Sequence, residues 1–256
     1  MIGKLRSLLH SFGIDVRRYR PDPSPPAPGA PDRVVGGMRE LLEDVRARGF
    51  VPRGIIDVGA NRGEWTRMAL AVFPGAHVIM IEPQAEMVAS LETLCREQAN
   101  VSLVKAGAGS EAGQLLQTIA EDLAGSSFLP PGNALLREKG RQRLTPMVTI
   151  DSVLAGRSEF QPDLLKLDIQ GFELKALAGA ASIFGRAEML ILEAALFEFM
   201  PGQPTAREVI AFMGDRNYEI YDVPGFLRRP FDGALGQMDI AFVRKNGCLR
   251  SSNKWQ

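Results

Sequence analysis

Two cysteines and two histidines are all that 256 residues provide, and that scarcity limits the chemistry first. Cys95 and Cys248 form neither a metal-ligand spacing nor a disulfide framework, so a reducing cytoplasm fits the chain best. No apolar run approaches the roughly 20 residues that a membrane span needs, and residues 1–20 lack the continuous apolar core of a signal peptide. The expectation is a protein neither secreted nor membrane-spanning. A surplus of either charge is also missing, because 30 basic and 30 acidic residues cancel. Without a global field the chain has no electrostatic claim on nucleic acid. What is present, 45% hydrophobic and 23% charged residues, suits one large domain with a substantial core.

Residues 1–20 place Leu5, Leu8, Leu9 and Phe12 at helical spacing among Lys4, Arg6, Arg17, Arg18 and Arg20. Such a basic amphipathic helix suits an anionic membrane surface, but a single apolar stripe is more often buried against protein, and docking on its own domain or a neighbouring subunit is the preferred reading. The stretch PDPSPPAPGAP that follows is too rich in proline for a helix or central strand. A linker over 21–32 is expected, with the folded domain over 33–246 and a tail over 247–256.

Within that domain short Val- and Ile-rich runs alternate with helical segments. Strands are expected at 54–58, 77–81, 101–105, 164–167, 189–192, 218–222 and 240–243, with helices over 34–48, 64–71, 85–98, 172–181 and 205–215. This is the pattern of βαβ units around a buried parallel sheet, an α/β class. Residues 106–150 break it with two short β-like runs, QLLQTIA and MVTIDSVL, around a polar stretch and a basic helix or loop, LLREKGRQR; they read as an insert or lid. The last two strands are joined by VPGFLRRPFDGALGQM, which carries no helical signal. A direct reversal is expected there, leaving the last strand antiparallel to its neighbours.

The loop GIIDVGANRG ends the first strand, and ligands of open parallel sheets bind beyond such ends. A dinucleotide fingerprint would read G-x-G-x-x-G; here Gly59 and Gly63 are separated by three residues, and Asp57 precedes them. An acid so placed would face a pyrophosphate at close range, whereas it suits a ligand bearing a cation. S-adenosylmethionine carries a sulfonium and an ammonium and no phosphate. Its carboxylate could lie against the helix start after Gly63, and Glu82, ending the second strand, could accept both ribose hydroxyls. A tight turn alone would also use Gly59 and Gly63, but would not explain the acid beside them. A nicotinamide-dependent oxidoreductase, and a methyltransferase fold kept only for binding, are the other readings; the first lacks its glycine loop and an evident Tyr/Lys relay.

The residues IIDVGANRGEWT, IEPQAEMVASLE, AGAGS, TIDSVL, DLLKLDIQGFELKALAGA and GQMDIAFVR together resemble the FkbM-type methyltransferases, from about Gly54 to Arg244. The resemblance implies a seven-stranded, Rossmann-like methyltransferase fold, S-adenosyl-L-methionine as cofactor, and methylation of a hydroxyl on a sugar, glycan or secondary metabolite. It implies donor contacts from Asp57, Gly59, Asn61, Gly63, Glu82, Ala106 and Gly107. Gln170 stands where many relatives carry Glu, and no catalytic role is assigned to it.

Methyl transfer is an in-line displacement that rests on positioning, helped by a base when the acceptor is an alcohol. His10 lies in the N-terminal helix and His77 at the wrong end of a strand, so a carboxylate is the natural base. Asp168, closing the fourth strand, ranks first, with Lys166 on the same face to keep it ionised. Glu193 at the end of the fifth strand is a further candidate. So is Glu173, although an acid opening a helix also simply favours its positive end. Asp239 is expected to order a loop. Asp168, Glu193 and Asp239 could converge on Mg²⁺, but the spacing does not demand it and no metal is assigned. The GSSF stretch at 125–128, with Arg137, Lys139, Arg141 and Arg143, suits a polar acceptor, although a solvated basic face is the plainer reading. The expected partner is a small-molecule or glycan acceptor and no nucleic acid; a homo-oligomer is compatible.

Overall fold

The computed structural model describes residues 36–129, 136 and 138–254. The expected basic helix over 1–20, the linker over 21–32 and Arg137 lie outside them. The chain runs α1 (Met38–Ala47), β1 (Gly54–Val58), α2 (Glu64–Val72), β2 (His77–Ile81), α3 (Ala85–Glu97) and β3 (Val101–Val104). There follow β4 (Gly107–Ala108), β5 (Gly113–Thr118), β6 (Gln142–Val148) and α4 (Ile150–Ala155). The last part holds β7 (Pro162–Leu167), α5 (Glu173–Ala178), β8 (Met189–Ala195), α6 (Ala206–Gly214), β9 (Tyr218–Arg228) and β10 (Leu235–Arg244).

Seven strands form one sheet in the order β3-β2-β1-β7-β8-β10-β9. Strands β1, β2, β3, β7 and β8 pair in parallel, whereas β10 is antiparallel to both β8 and β9. The α/β class and the reversed last strand are therefore as the sequence indicates. The central strands are apolar on both faces because both are covered. Ile56, Leu165, Leu167, Leu190 and Leu192 bury into one core with α4, α5 and α6; Ile55, Leu164, Met189 and Ile191 bury into another with α1, α2 and α3. Side chains that alternate between two dry layers give continuous apolar runs rather than an apolar-polar alternation. Among the described residues no helix is long and apolar enough to cross a membrane.

The insert differs from expectation. Strands β4, β5 and β6 build a second, three-stranded sheet in the order β4-β6-β5. Part of the basic stretch is therefore strand rather than helix or loop, since β6 starts at Gln142. The run MVTIDSVL changes character at Thr149, whose hydroxyl accepts from Ser152 N–H and starts α4, as an N-cap threonine does. The stretch between the last two strands is likewise no plain loop. Strands β9 and β10 continue through it to Arg228 and from Leu235, past β-bulges. At the end of the domain, Leu249 N–H donates to Glu188, which also pairs with Arg244, so part of the expected tail is tied to the sheet.

Candidate functional site

The strand order reverses between β1 and β7, which makes their carboxyl ends the topological switch point where ligands of such sheets bind. A cleft opens there. Gly59, Asn61, Glu82, Gln84, Ser126 and Phe128 line one part of it, and Asp168, Ile169, Gln170 and Glu193 another, with Pro83, Gln117 and Ala124 completing the wall. A larger hollow near Arg53, His77, Asn100 and Arg157 opens where the strands begin. It lies at the end of the sheet that carries no switch-point chemistry.

On the first wall the backbone turns through three residues at positive φ, Gly59, Asn61 and Gly63. A Cβ on Gly59 would collide with the backbone carbonyl of Asp168. Glycine here lets β1 and β7 close on each other while the chain bends away. Gly63 sits deeper, at the N-cap of α2 and against Leu91 and Leu94. Glu82 is held from two sides: Asn61 N–H donates to Oε2 at 2.8 Å and Gln84 N–H to Oε1 at 2.9 Å. Burial raises its pKa, against the lowering effect of these two N–H groups. Ser126, brought back by the pairing of Ser127 with Thr118, donates to Gln84 Oε1 at 3.1 Å. The GSSF stretch thus touches both walls: Ser126 holds Gln84 beside Glu82, and Ser127 Oγ donates to the Gln170 carbonyl at 2.7 Å.

Other sequence candidates sit behind the walls. Asp57 is fully buried and is not among the lining residues. Its Oδ2 accepts from Thr66 Oγ at 2.6 Å, and Oδ1 lies 3.9 Å from Lys166 Nζ. Burial raises the Asp57 pKa, with Lys166 and Thr66 opposing. The residue ties the loop's first helix turn to β7; the direct ligand contact expected of it is not what its placement offers. The reason is parity: Asp57 alternates with Ile56 and Val58, so it points into the α1–α3 layer beside Lys166, its neighbour in register. Ala106 and Gly107 are also buried and are not among the lining residues. A Cβ on Gly107 would collide with the Phe128 ring, so Gly107 makes room for a lining residue.

The second wall concentrates charge. Lys166 is buried, and its Nζ reaches Asp168 Oδ2 at 3.2 Å, while Trp65 offers its ring face at 5.8 Å. Burial would lower the Lys166 pKa, but the carboxylates of Asp168 and Asp57 outweigh it and the net shift is upward. Gln170 Nε2 contacts both Asp168 and Glu193. Burial pushes the Glu193 carboxyl far up, and Asp168, Glu173 and Asp239 add to the shift. Asp239 is opposite Glu193 in register and is pushed up to about 6 by burial and then by Asp168. It faces Glu193 rather than ordering a loop. Among the described residues no three His, Cys, Asp or Glu side chains are grouped so as to hold a metal ion. Two arginines of the basic run are committed elsewhere: Arg143 forks onto Glu86 at 2.7 and 2.8 Å, and Arg141 pairs with Glu121.

Glu173 stands outside the cleft. Its Oε1 accepts from Ile169 N–H at 2.9 Å and Gly171 N–H at 3.3 Å, so it fixes the turn that carries Gln170. Burial pushes its pKa from 4.5 up to about 7, against the lowering pull of the Ile169 N–H. The folded state therefore holds this proton more tightly than the unfolded chain does. Its contribution favours folding below the unfolded value of 4.5 and declines as pH rises towards 7. Glu173→Gln keeps the accepting oxygen and removes the titration. Urea unfolding at pH 5 and pH 8 is expected to show a smaller loss of stability in this variant than in the wild type; equal losses would contradict the assignment. Glu173→Ala strands two N–H groups and should cost about 1–3 kcal/mol.

A seven-stranded α/β sheet with its cleft at the switch point defines the class, a Rossmann-like fold of the methyltransferase type. Residues 57–220 match the family described as the methyltransferase FkbM domain, and the chain belongs to that family. Similar solved structures include methyltransferase FkbM from Methylobacillus flagellatus, at 19% identity over 74% of this chain and 43% of that one, TM-score 0.47. The chain thus spans less than half the length of that protein. Precorrin-6y C5,15-methyltransferase from Geobacter metallireducens is similar at 13% identity over 80% and 87% of the two chains, TM-score 0.43. So is a Burkholderia thailandensis 1,6-didemethyltoxoflavin-N1-methyltransferase with bound S-adenosylhomocysteine, at 13% identity over 80% and 76%, TM-score 0.43. No curated protein matches the chain.

Proposed function

We propose that this family member is an S-adenosylmethionine-dependent O-methyltransferase acting on a hydroxyl of a glycan or secondary metabolite. The observation that carries the donor is the charge of the cleft wall. Among the described residues that line it are the carboxyl groups of Glu82 and Asp168 and the proton-holding Glu193, and none is a lysine or arginine. A pyrophosphate would meet repulsion here, and a cationic nucleoside without phosphate would not. Gly59 allows close backbone approach, and Glu82, immobilised by two backbone N–H groups, is an acceptor suited to ribose hydroxyls. When bound, the donor supplies an electrophilic methyl group. Asp168, partly exposed in the cleft and 3.2 Å from the Lys166 ammonium, is the group of this chain best placed to take the proton of an acceptor hydroxyl.

Titration calorimetry with S-adenosylhomocysteine tests the donor. The wild type should bind it, and Glu82→Ala should bind roughly 10- to 100-fold more weakly, the loss expected of hydrogen bonds to a charged group. Binding of NADH in its place would sink the reading. The acceptor is found by incubating the protein with isotopically labelled S-adenosylmethionine and host extract, then identifying the labelled product by mass spectrometry. A methyl group on nitrogen or carbon in that product would rule out the O-methyl assignment.

A further inference from the structure

We propose that Gln170 is the positioning residue of this reaction: its one side-chain nitrogen spans Asp168 and Glu193 and fixes the two carboxyl groups relative to each other on the cleft wall. The inference rests on the methyltransferase reading above and adds a part to its machinery. Nε2 of Gln170 donates to Asp168 Oδ1 at 3.0 Å and to Glu193 Oε2 at 2.9 Å. A primary amide carries two N–H bonds on one nitrogen, so each carboxyl group receives one.

The backbone is built to aim this amide. Gln170 has φ 54° and Gly171 φ 92°, two successive residues in left-handed conformation. For a residue with a Cβ that conformation costs on the order of 1–3 kcal/mol and persists only where the surroundings enforce it. They do so here: Ser127 Oγ donates to the Gln170 carbonyl at 2.7 Å, Glu173 holds the N–H groups on either side, and Gln203 closes the space beside Gly171. A loop held this way by the insert, α5 and the segment before α6 does more than reverse the chain.

The chemistry of the cluster explains why a neutral donor is used. Lys166 from β7 takes the other oxygen of Asp168, and Glu173 from α5 and Asp239 from β10 add negative charge around Glu193. A cationic bridge would duplicate Lys166, whereas an amide brings two N–H donors and no charge. The amide serves both acids and neither needs to give its proton to the other. Asp168 is left to work as the base while Glu193 stays in place beside it.

Two substitutions separate this role from plain packing. Gln170→Leu removes both donors. Gln170→Glu keeps the size of the side chain but offers at most one O–H, and only while protonated, so it cannot donate to both carboxyl groups. Both variants should bind S-adenosylhomocysteine as the wild type does. The initial rate of methyl transfer from labelled S-adenosylmethionine to host extract should fall roughly 10- to 100-fold in Gln170→Leu at every pH. In Gln170→Glu it should fall less than in Gln170→Leu while the new carboxyl group holds its proton and donates to one of the two acids, and fall further as pH rises. A wild-type rate and pH profile in Gln170→Leu, or a pH-independent loss in Gln170→Glu, would overturn the proposal. If the wild type binds S-adenosylhomocysteine but labels nothing, the transferase reading fails instead, and nuclear magnetic resonance decides the bridge. The Gln170 side-chain amide signal, identified by its absence in Gln170→Leu, should move in both Asp168→Asn and Glu193→Gln; a shift in only one or in neither shows that there is no bridge.

Discussion

Asp168→Asn is expected to bind S-adenosylhomocysteine with near wild-type affinity and to lose methyl transfer by roughly 10²- to 10⁴-fold, the range for removal of a general base. The affinity should survive because Glu82, Asn61 and Gly59 lie on the other wall and make no hydrogen bond to Asp168. The rate should fall because asparagine has the same shape and no basic oxygen. Its fold should persist too: Lys166 keeps Asp57 3.9 Å away, so the buried ammonium is not left without a counter-charge. Glu193 cannot take over at neutral pH, since burial and its acidic neighbours hold its proton on. For the same reason Glu193→Gln, which exchanges one neutral group for another, should cost far less than Asp168→Asn. Labelled-donor assays on both variants, with calorimetry and thermal melts as controls, check the ordering. An unaltered rate in Asp168→Asn would remove it from the mechanism, and a larger loss in Glu193→Gln would make Glu193 the base.

What the sequence made legible follows from where information is local. The parallel strands are short apolar runs bounded by turn residues, so β1, β2, β7 and β8 and the positions of Glu82, Asp168 and Glu193 at their ends could be read directly. Asp57 looked like a ligand contact because it precedes the glycines; the alternation Ile55-Ile56-Asp57-Val58 already held the correction, as it puts Asp57 on the same face as Ile55, inside the α1–α3 layer. The reversal between β9 and β10 was legible too, but their extensions to Arg228 and from Leu235 were hidden because the outer strand is an edge wetted on one side, and Pro224, Gly225 and the arginines there are what edges tolerate. Strand β6 was hidden likewise by its arginine, glutamine and proline. The contributions of Gln84, Gln117, Ser126 and Phe128 depend on how the insert sheet packs over the cleft, and no periodicity in the chain carries that. Gln170 was passed over because an amide has no charge or nucleophile to signal chemistry. Its positive φ, a property of the fold, is what marks it.

The largest effect on the site should come from a single methyl group. Gly59→Ala is expected to abolish detectable S-adenosylhomocysteine binding and to lower the melting temperature by roughly 5–15 °C, from two costs that can be separated. The first is conformational: φ is +79° at Gly59, and alanine pays about 1–2 kcal/mol there. The second is steric. The added Cβ would collide with the carbonyl of Asp168, and Ile169 Cγ2 would stand 3.0 Å away, so β1 and β7 must part at the switch point. Forcing extra volume into a packed position costs about 1–3 kcal/mol more. Two other glycines provide the controls. Gly49 has φ +90° with nothing near its Cβ position, so Gly49→Ala should show the conformational cost alone; Gly75 has open space and no positive φ, and Gly75→Ala should melt with the wild type. The excess loss in Gly59→Ala over Gly49→Ala then measures how tightly the switch point is closed. Because the displaced atoms belong to Asp168 and Ile169, donor binding and base geometry should fail together in this variant, whereas Asp168→Asn loses only the second. A Gly59→Ala protein that melts with Gly75→Ala and still binds S-adenosylhomocysteine would show that the ligand does not sit at this junction.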